Sequence, residues 1–337
     1  MRQAIYIISL LILSACGSHR GSVPVAMKDS GTNLTLPPGI TRVSKDDEPW
    51  QGQNKFQINP EDTLTAYGQD LIANTSFYLG PKGKVAAISN GMNCQNCHLD
   101  AGTLPFSNNY GAVASTYPRF RDRSGSLETI SKRVNDCLQR SLNGKSLDTN
   151  SHEMKAILSY MYWLGKDVPK GQKPRGSGIV DLPYLDRPAD SAKGRLVYMK
   201  TCVTCHGPTG AGRTNPAGNG YTYPPLWGKH SYNTGAGLFR ISKFAGYVKN
   251  SMPFNLVNYK HPLLSDEEAW DVAAFVNSRP RPTMDISLDW PNISKKPVDH
   301  PFGPYTDGFS EVQHKFGPFK PIKAIIEAKK DKSAPTK

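Results

Sequence analysis

Cys94-Gln95-Asn96-Cys97-His98 and Cys202-Val203-Thr204-Cys205-His206 are two copies of one pattern, C-x-x-C-H, and they decide how the rest of the chain reads. Two thiols followed directly by an imidazole are what covalent haem attachment requires. The thiols add to the vinyl groups and the histidine ligates the iron. A redox dithiol needs no histidine after it, and a zinc site needs further Cys or His pairs at metal spacing, which the sequence lacks. The pattern predicts two covalently bound haem c groups, one on Cys94, Cys97 and His98, the other on Cys202, Cys205 and His206.

Of the six cysteines, two remain. Cys16 closes the run Leu13-Ser14-Ala15-Cys16, after the basic Arg2 and a short apolar stretch, Ala4 to Leu13. That stretch is too short to span a bilayer and reads as a bacterial lipoprotein signal, with cleavage before Cys16 and lipid on its thiol. An ordinary secretory signal is the alternative. Either way the expectation is an exported, periplasmic protein, and Gly17 after the cysteine favours the outer membrane. Export suits c-type haem, which is attached there.

The 337 residues are 38% hydrophobic and 20% charged, with 27 Pro and 30 Gly, which suits a globular protein rich in loops. The net charge of +13 calls for an anionic partner. No nucleic-acid motif accompanies it, so small anions, an acidic electron carrier or an anionic membrane surface remain.

The other cysteine, Cys137, lies in an amphipathic pattern. Leu127, Ile130, Val134 and Leu138 recur at helical spacing, Ser126 is the expected N-cap, Glu128 suits the first turn and Gly144 the stop. Arg133, Cys137 and Ser141 then share one face. Cys137 is either a buried apolar thiol or a haem ligand. For the second haem, Met252 before Pro253 is the expected sixth ligand, since Met/His ligation is common and Met199 and Met284 are poorly placed. An internal repeat bears on both. Glu153, Ile157 and Tyr160 correspond to Glu268, Val272 and Phe275, each pair 115 positions apart, and the same offset takes Cys137 to Met252. The repeat favours Cys137 as ligand of the first haem, over His152, Met154 and Met161.

Around these motifs the chain divides into a signal peptide (1–15), a tether or N-terminal arm (16–60), a first haem domain (61–165), a linker rich in Lys, Gly and Pro (166–188), a second haem domain (189–280) and a wrapping C-terminal tail (281–337) whose last ten or so residues are expected to be disordered. Helices are predicted over Thr63–Tyr78, around Cys137, over Glu153–Leu164, from Ser191 into the second motif, and after the capping box at Ser265–Glu268. A long loop is predicted between the second motif and that box. The fold class is all-α: two cytochrome c-type haem domains with irregular N- and C-terminal arms.

Over about residues 60–280 the sequence resembles the dihaem thiosulfate dehydrogenases. The resemblance rests on the paired C-x-x-C-H runs, F-R-D-R-S-G-S at 120–126, R-V-N-D-C-L-Q-R-S-L-N-G-K at 133–145 and S-M-P-F-N at 251–255. It implies an oxidoreductase that couples two thiosulfates into tetrathionate, some members running chiefly the reverse, with a periplasmic carrier such as a small cytochrome c as electron partner. It implies Cys137 as catalytic haem ligand and transient nucleophile, and Arg123, Arg133 and Ser141 as substrate-binding residues. Pairing of those arginines with haem propionates is the alternative. Some members have Lys directly before the ligand Met and exchange the two; here that residue is Ser251, with Lys249 nearby. A dihaem electron carrier without catalysis, or a thiosulfate-transferring sulfur-oxidation cytochrome, are the competing readings.

Overall fold

The computed structural model describes residues 48–52 and 57–333. The signal peptide, Cys16 and most of the N-terminal arm lie outside them. Of that arm, Trp50 and Ile58 pack on the first lobe.

The chain builds two lobes on one plan. In the first, α1 (Thr63–Ala73) and α2 (Thr75–Leu79) stand where one helix was predicted. Asn74 leaves the helical region at φ −122° and separates them. A hairpin of β1 (Arg119–Arg121) and β2 (Ser126–Glu128) follows, pairing Arg119 with Glu128 and Phe120 with Leu127. Then come α3 (Ile130–Arg140), which carries Cys137, and α4 (His152–Leu164). In the second lobe α5 (Ser191–Val197) continues through a π-helical turn into Val203–His206. α6 (Ile241–Ser251) lies inside the stretch predicted as loop, and α7 (Asp266–Asn277) begins at the predicted capping box. The many Gly and Pro residues between 207 and 240 masked α6, although Ile241, Phe244, Ala245 and Val248 bury one face at helical spacing.

Each lobe closes where its first helix crosses its last at a glycine. A Cβ on Gly68 would stand 1.9 Å from the Ala156 carbonyl oxygen and 2.9 Å from the Tyr160 Cβ. A Cβ on Gly194 would stand 1.8 Å from the Asp271 oxygen and 2.9 Å from the Phe275 Cβ. Ala156 and Asp271, like Tyr160 and Phe275, keep the offset of the sequence repeat, so the repeat is a repeat of packing. Only glycine permits backbones this close.

The tail is more ordered than predicted. It forms α8 (Glu311–Phe316) and α9 (Lys320–Ser333), so part of the stretch expected to be disordered is helical. Phe319 and Ile322 are buried in the second lobe's core, because the tail offers apolar residues that the lobe leaves room for. Residues 171–178 are bonded along the first lobe, with the Gly176 and Gly178 carbonyls accepting from Phe106 and Asn108, while Leu182 and Tyr184 pack on the second lobe's core and the Pro183 carbonyl accepts from the Trp270 indole at 3.0 Å. Among the described residues no helix is long and apolar enough to cross a membrane.

Candidate active site

Helix α3 starts three residues later than the sequence pattern suggested. Thr129, not Ser126, is its cap: the Thr129 hydroxyl accepts from the Lys132 N–H at 3.2 Å. Ser126, Leu127 and Glu128 belong to β2 instead, and Leu127 points to solvent. The apolar alternation of a short strand had merged with the helical period. The helix ends as expected, with the Gly144 N–H returning to the Leu138 carbonyl at 2.9 Å. Ile130, Val134 and Leu138 face the core. Arg133, Cys137 and Ser141 follow one another along a different face, one turn apart.

The hairpin turn supplies Arg123. Gly125 in that turn has φ +62°, and a Cβ there would meet Pro291 at 2.5 Å, so the tail braces the turn directly. The Trp290 N–H donates to the Arg123 carbonyl at 2.7 Å. Arg123 approaches Asp136 at 3.9 Å, and Lys132 shares that carboxylate at 3.0 Å. Arg140 is bound in a fork by Asp289, two bonds of 2.7 Å each. Asp136, Arg140, Asp289 and Trp290 were not singled out from sequence. Asp136 and Arg140 sit in the Cys137 motif, but no local pattern ties the distant tail residues to it.

Cys94, Cys97 and His98 converge on Cys137. The Nδ1 of His98 is held by the Asn108 carbonyl at 2.5 Å, which leaves Nε2 for a metal. The His98 ring and the Cys137 sulfur are hydrogen-bonding neighbours. Burial raises the Cys137 thiol, but Arg133, His98 and Arg123 outweigh it and bring it down to about 7. Cys94 and Cys97, buried without such cations, are pushed up to about 11 and about 12, with Cys137 adding to the rise. Arg123 is lowered to about 10 by burial and by Arg133 and Arg140. The rival ligands stand elsewhere: His152 stacks on Tyr67, and Met154 and Met161 are core residues.

The second motif repeats the histidine geometry. His206 Nδ1 is held by the Pro224 carbonyl at 2.8 Å, and burial lowers its pKa. Met252 is the C-cap of α6 and packs on the same core as Cys202. Cys137 lies inside its helix and Met252 just past the end of its own, so the repeat equates the two only in sequence position. Both centres fit a c-type haem on their own chemistry. Each offers two free thiols and an imidazole whose Nδ1 is already committed.

Paired centres of this kind in an all-α frame define a c-type cytochrome. Residues 84–169 match the SoxA/TsdA cytochrome c domain family and residues 191–280 the cytochrome c family, so the lobes are two cytochrome c domains. The thiosulfate dehydrogenase of Stutzerimonas stutzeri (strain A1501) is 38% identical over 234 residues, 68% of this chain and 74% of that one. That of Thiomonas intermedia (strain K12) is 31% identical over 291 residues, 84% of each chain. A solved thiosulfate dehydrogenase (TsdBA) from Marichromatium purpuratum superposes with a TM-score of 0.63 at 29% identity, over 69% of this chain and 50% of that one, so the chain spans half of that protein's length. The chain belongs to the thiosulfate dehydrogenase family.

Proposed function

We propose that the chain oxidises thiosulfate to tetrathionate at Cys137, and that the same site runs the reverse reaction when a reductant is supplied. The observation that carries this reading is the Cys137 sulfur, set beside His98 and flanked by Arg133 and Arg123. In this reading His98 and Cys137 hold the iron of the first haem, and His206 and Met252 that of the second. Both haems are covalently attached, through Cys94 and Cys97 and through Cys202 and Cys205. When bound, each haem accepts one electron at a time.

Two thiosulfate dianions become one tetrathionate dianion and two electrons. Held about 4 Å apart, two dianions repel by about 4 kcal/mol even at the dielectric of water, and by more in a buried site. Arg123 and Arg133 offset that repulsion, and the Ser141 hydroxyl orients one sulfonate. The Cys137 thiolate bonds to the sulfane sulfur of the first thiosulfate with loss of two electrons. The sulfane sulfur of the second thiosulfate then attacks that sulfur, expels Cys137 as thiolate and leaves as tetrathionate. The final oxidant is a small periplasmic cytochrome c.

Cys137→Met tests this. A thioether can still meet iron but cannot act as a thiolate nucleophile, so thiosulfate-dependent turnover is lost while both haems stay attached. A purely packing Cys137 would tolerate Met at a cost of about 1–3 kcal/mol and keep its activity. Near-normal turnover in the variant, or no thiolate-type electron paramagnetic resonance signal in the wild type, overturns the assignment. We further propose that lipid on Cys16 anchors the protein to a membrane, the outer membrane being favoured. Cys16→Ser then releases it or leaves it unprocessed, and an unmodified wild-type N-terminus by mass spectrometry refutes the anchor.

A further inference from the structure

Tyr247 and Ser251 stand one turn apart on α6, and both bond across to the first haem centre. The Tyr247 hydroxyl donates to the Asn96 carbonyl at 2.7 Å, between the two thiols of the first motif. The Ser251 hydroxyl lies 2.8 Å from that of Ser107, and the next residue, Asn108, supplies the carbonyl that holds His98 Nδ1. Directly after Ser251, as C-cap of the helix, comes Met252. We propose that α6 is a positioning element shared by the two haem centres: Tyr247 and Ser251 set the orientation of the His98 imidazole, so that a change of ligation at Met252 is felt at the first iron. The proposal rests on the ligand sets read above, His98 with Cys137 and His206 with Met252.

Three observations carry it. The two bonds fall on the two supports of one imidazole: Asn96 lies two residues before His98 in the chain, and Asn108 is bonded to its ring. Secondly, the segment that carries Asn108 has a costly backbone. Phe106 has φ +59° and Asn108 φ +60°, in the left-handed region that a bulky residue avoids. Their N–H groups donate to the Gly176 and Gly178 carbonyls at 2.7 and 2.9 Å, which keeps them there. The chain that supplies those carbonyls then runs against α6. Ser107 pairs with Ile179 in an isolated bridge, and a Cβ on Gly246 would stand 2.0 Å from the Val180 carbonyl oxygen. Thirdly, Tyr247, Ser251 and Ser107 are all buried. Water cannot take over these bonds, so a movement of the helix end either carries Ser107 with it or leaves the Ser251 hydroxyl buried without this partner.

The test is made on the holoprotein, with the electron paramagnetic resonance signal and the midpoint potential of the first haem as readouts. Tyr247→Phe combined with Ser251→Ala frees both supports. A firm acceptor on Nδ1 makes the imidazole a more basic ligand and so favours oxidised iron. Loosening it moves the g-values and raises the first haem's potential, although both substitutions lie in the other lobe. Ser251→Ala, the smaller change, carries the test alone if the pair does not fold. Were the bonds only glue between the lobes, the variants would lose stability and leave signal and potential in place, and that result overturns the proposal. The link to Met252 is read by a second comparison. Met252→Gly shifts the first haem's signal in the otherwise wild-type chain, and not in the chain that also carries Tyr247→Phe and Ser251→Ala. An equal shift in both overturns the link, because coupling by charge through space needs neither residue. An unchanged second-haem spectrum in Met252→Gly removes Met252 as a ligand and the link with it. A wild type without a thiolate-type signal sinks the reading of Cys137 instead, and the positioning role stands if Tyr247→Phe with Ser251→Ala still moves the first haem's potential.

Discussion

The hydroxyl of Tyr247, on α6 of the second lobe, donates a 2.7 Å hydrogen bond to the carbonyl of Asn96, inside the first C-x-x-C-H run. Cys97, from that same run, and Leu99, directly after it, are buried in the second lobe's hydrophobic core. The first haem motif is therefore held from both lobes. Burial, with Cys97 adding to it, keeps the Tyr247 phenol protonated and able to donate. Tyr247→Phe leaves a largely buried carbonyl without its donor, which costs about 1–3 kcal/mol. Chemical denaturation of the holoprotein should show that loss with both haems retained. An unchanged midpoint would mean that water replaces the bond at no cost.

The two glycine crossings make an opposed prediction from helix propensity and from packing. Gly→Ala in a helix interior should stabilise by about 0.5–1 kcal/mol on propensity alone. At Gly68 and Gly194 the added carbon would stand 1.9 and 1.8 Å from a carbonyl oxygen, well inside contact distance. The helices must separate, and overpacking of this kind costs about 1–3 kcal/mol or more. Both Gly68→Ala and Gly194→Ala should lower the thermal midpoint. A rise in either would mean that the crossing relaxes freely.

What could be read without coordinates was whatever repeats over short distances. The C-x-x-C-H runs, the Ser265–Glu268 capping box and the spacing of α4 against α7 are local patterns, and the helices stand where those patterns are. The start of α3 was misread because a strand of three residues, Ser126–Glu128, gives too few positions to separate a period of two from one of 3.6. Of the residues singled out from one helix and one turn, the structure brings Arg123 and Arg133 beside Cys137. The outer wall of the site was not legible. Asp289 and Trp290 reach Arg140 and Arg123 from far along the chain, and no sequence pattern encodes such a meeting.

Asp299 does for α6 what an N-cap does from within a helix. Its buried carboxylate accepts from the Ser242 N–H at 3.1 Å and from the Ser242 hydroxyl and the Arg240 guanidinium at 2.5 Å. Burial pushes its pKa up, but Arg240 and Ser242 together hold it below the ordinary 3.8. A depressed carboxylate contributes stability that is present above the unfolded value and lost as pH falls through the folded one. Asp299→Asn should therefore cost about 3 kcal/mol near neutrality. The gap between variant and wild type should shrink as the pH falls below about 4. A gap that persists unchanged in acid would show that shape, not charge, is what Asp299 supplies.

Met252 has two neighbours that bear on how the second centre behaves, and both are occupied. Ser251, directly before it, is buried with its hydroxyl 2.8 Å from that of Ser107 in the other lobe. Lys249 is ion-paired with Asp266 in the first turn of α7. For Lys249 to replace Met252 it would have to give up that pair. The expected outcome is one ligand set in both oxidation states. Met252→Gly should abolish any sulfur-to-iron band and lower the second haem's potential, with haem content still at two, since a Met/His pair holds the potential high. Lys249→Ala should leave the oxidised and reduced spectra as they are in the wild type. A second low-spin species in the wild type that vanishes in Lys249→Ala would show that the ion pair opens and the lysine reaches the iron.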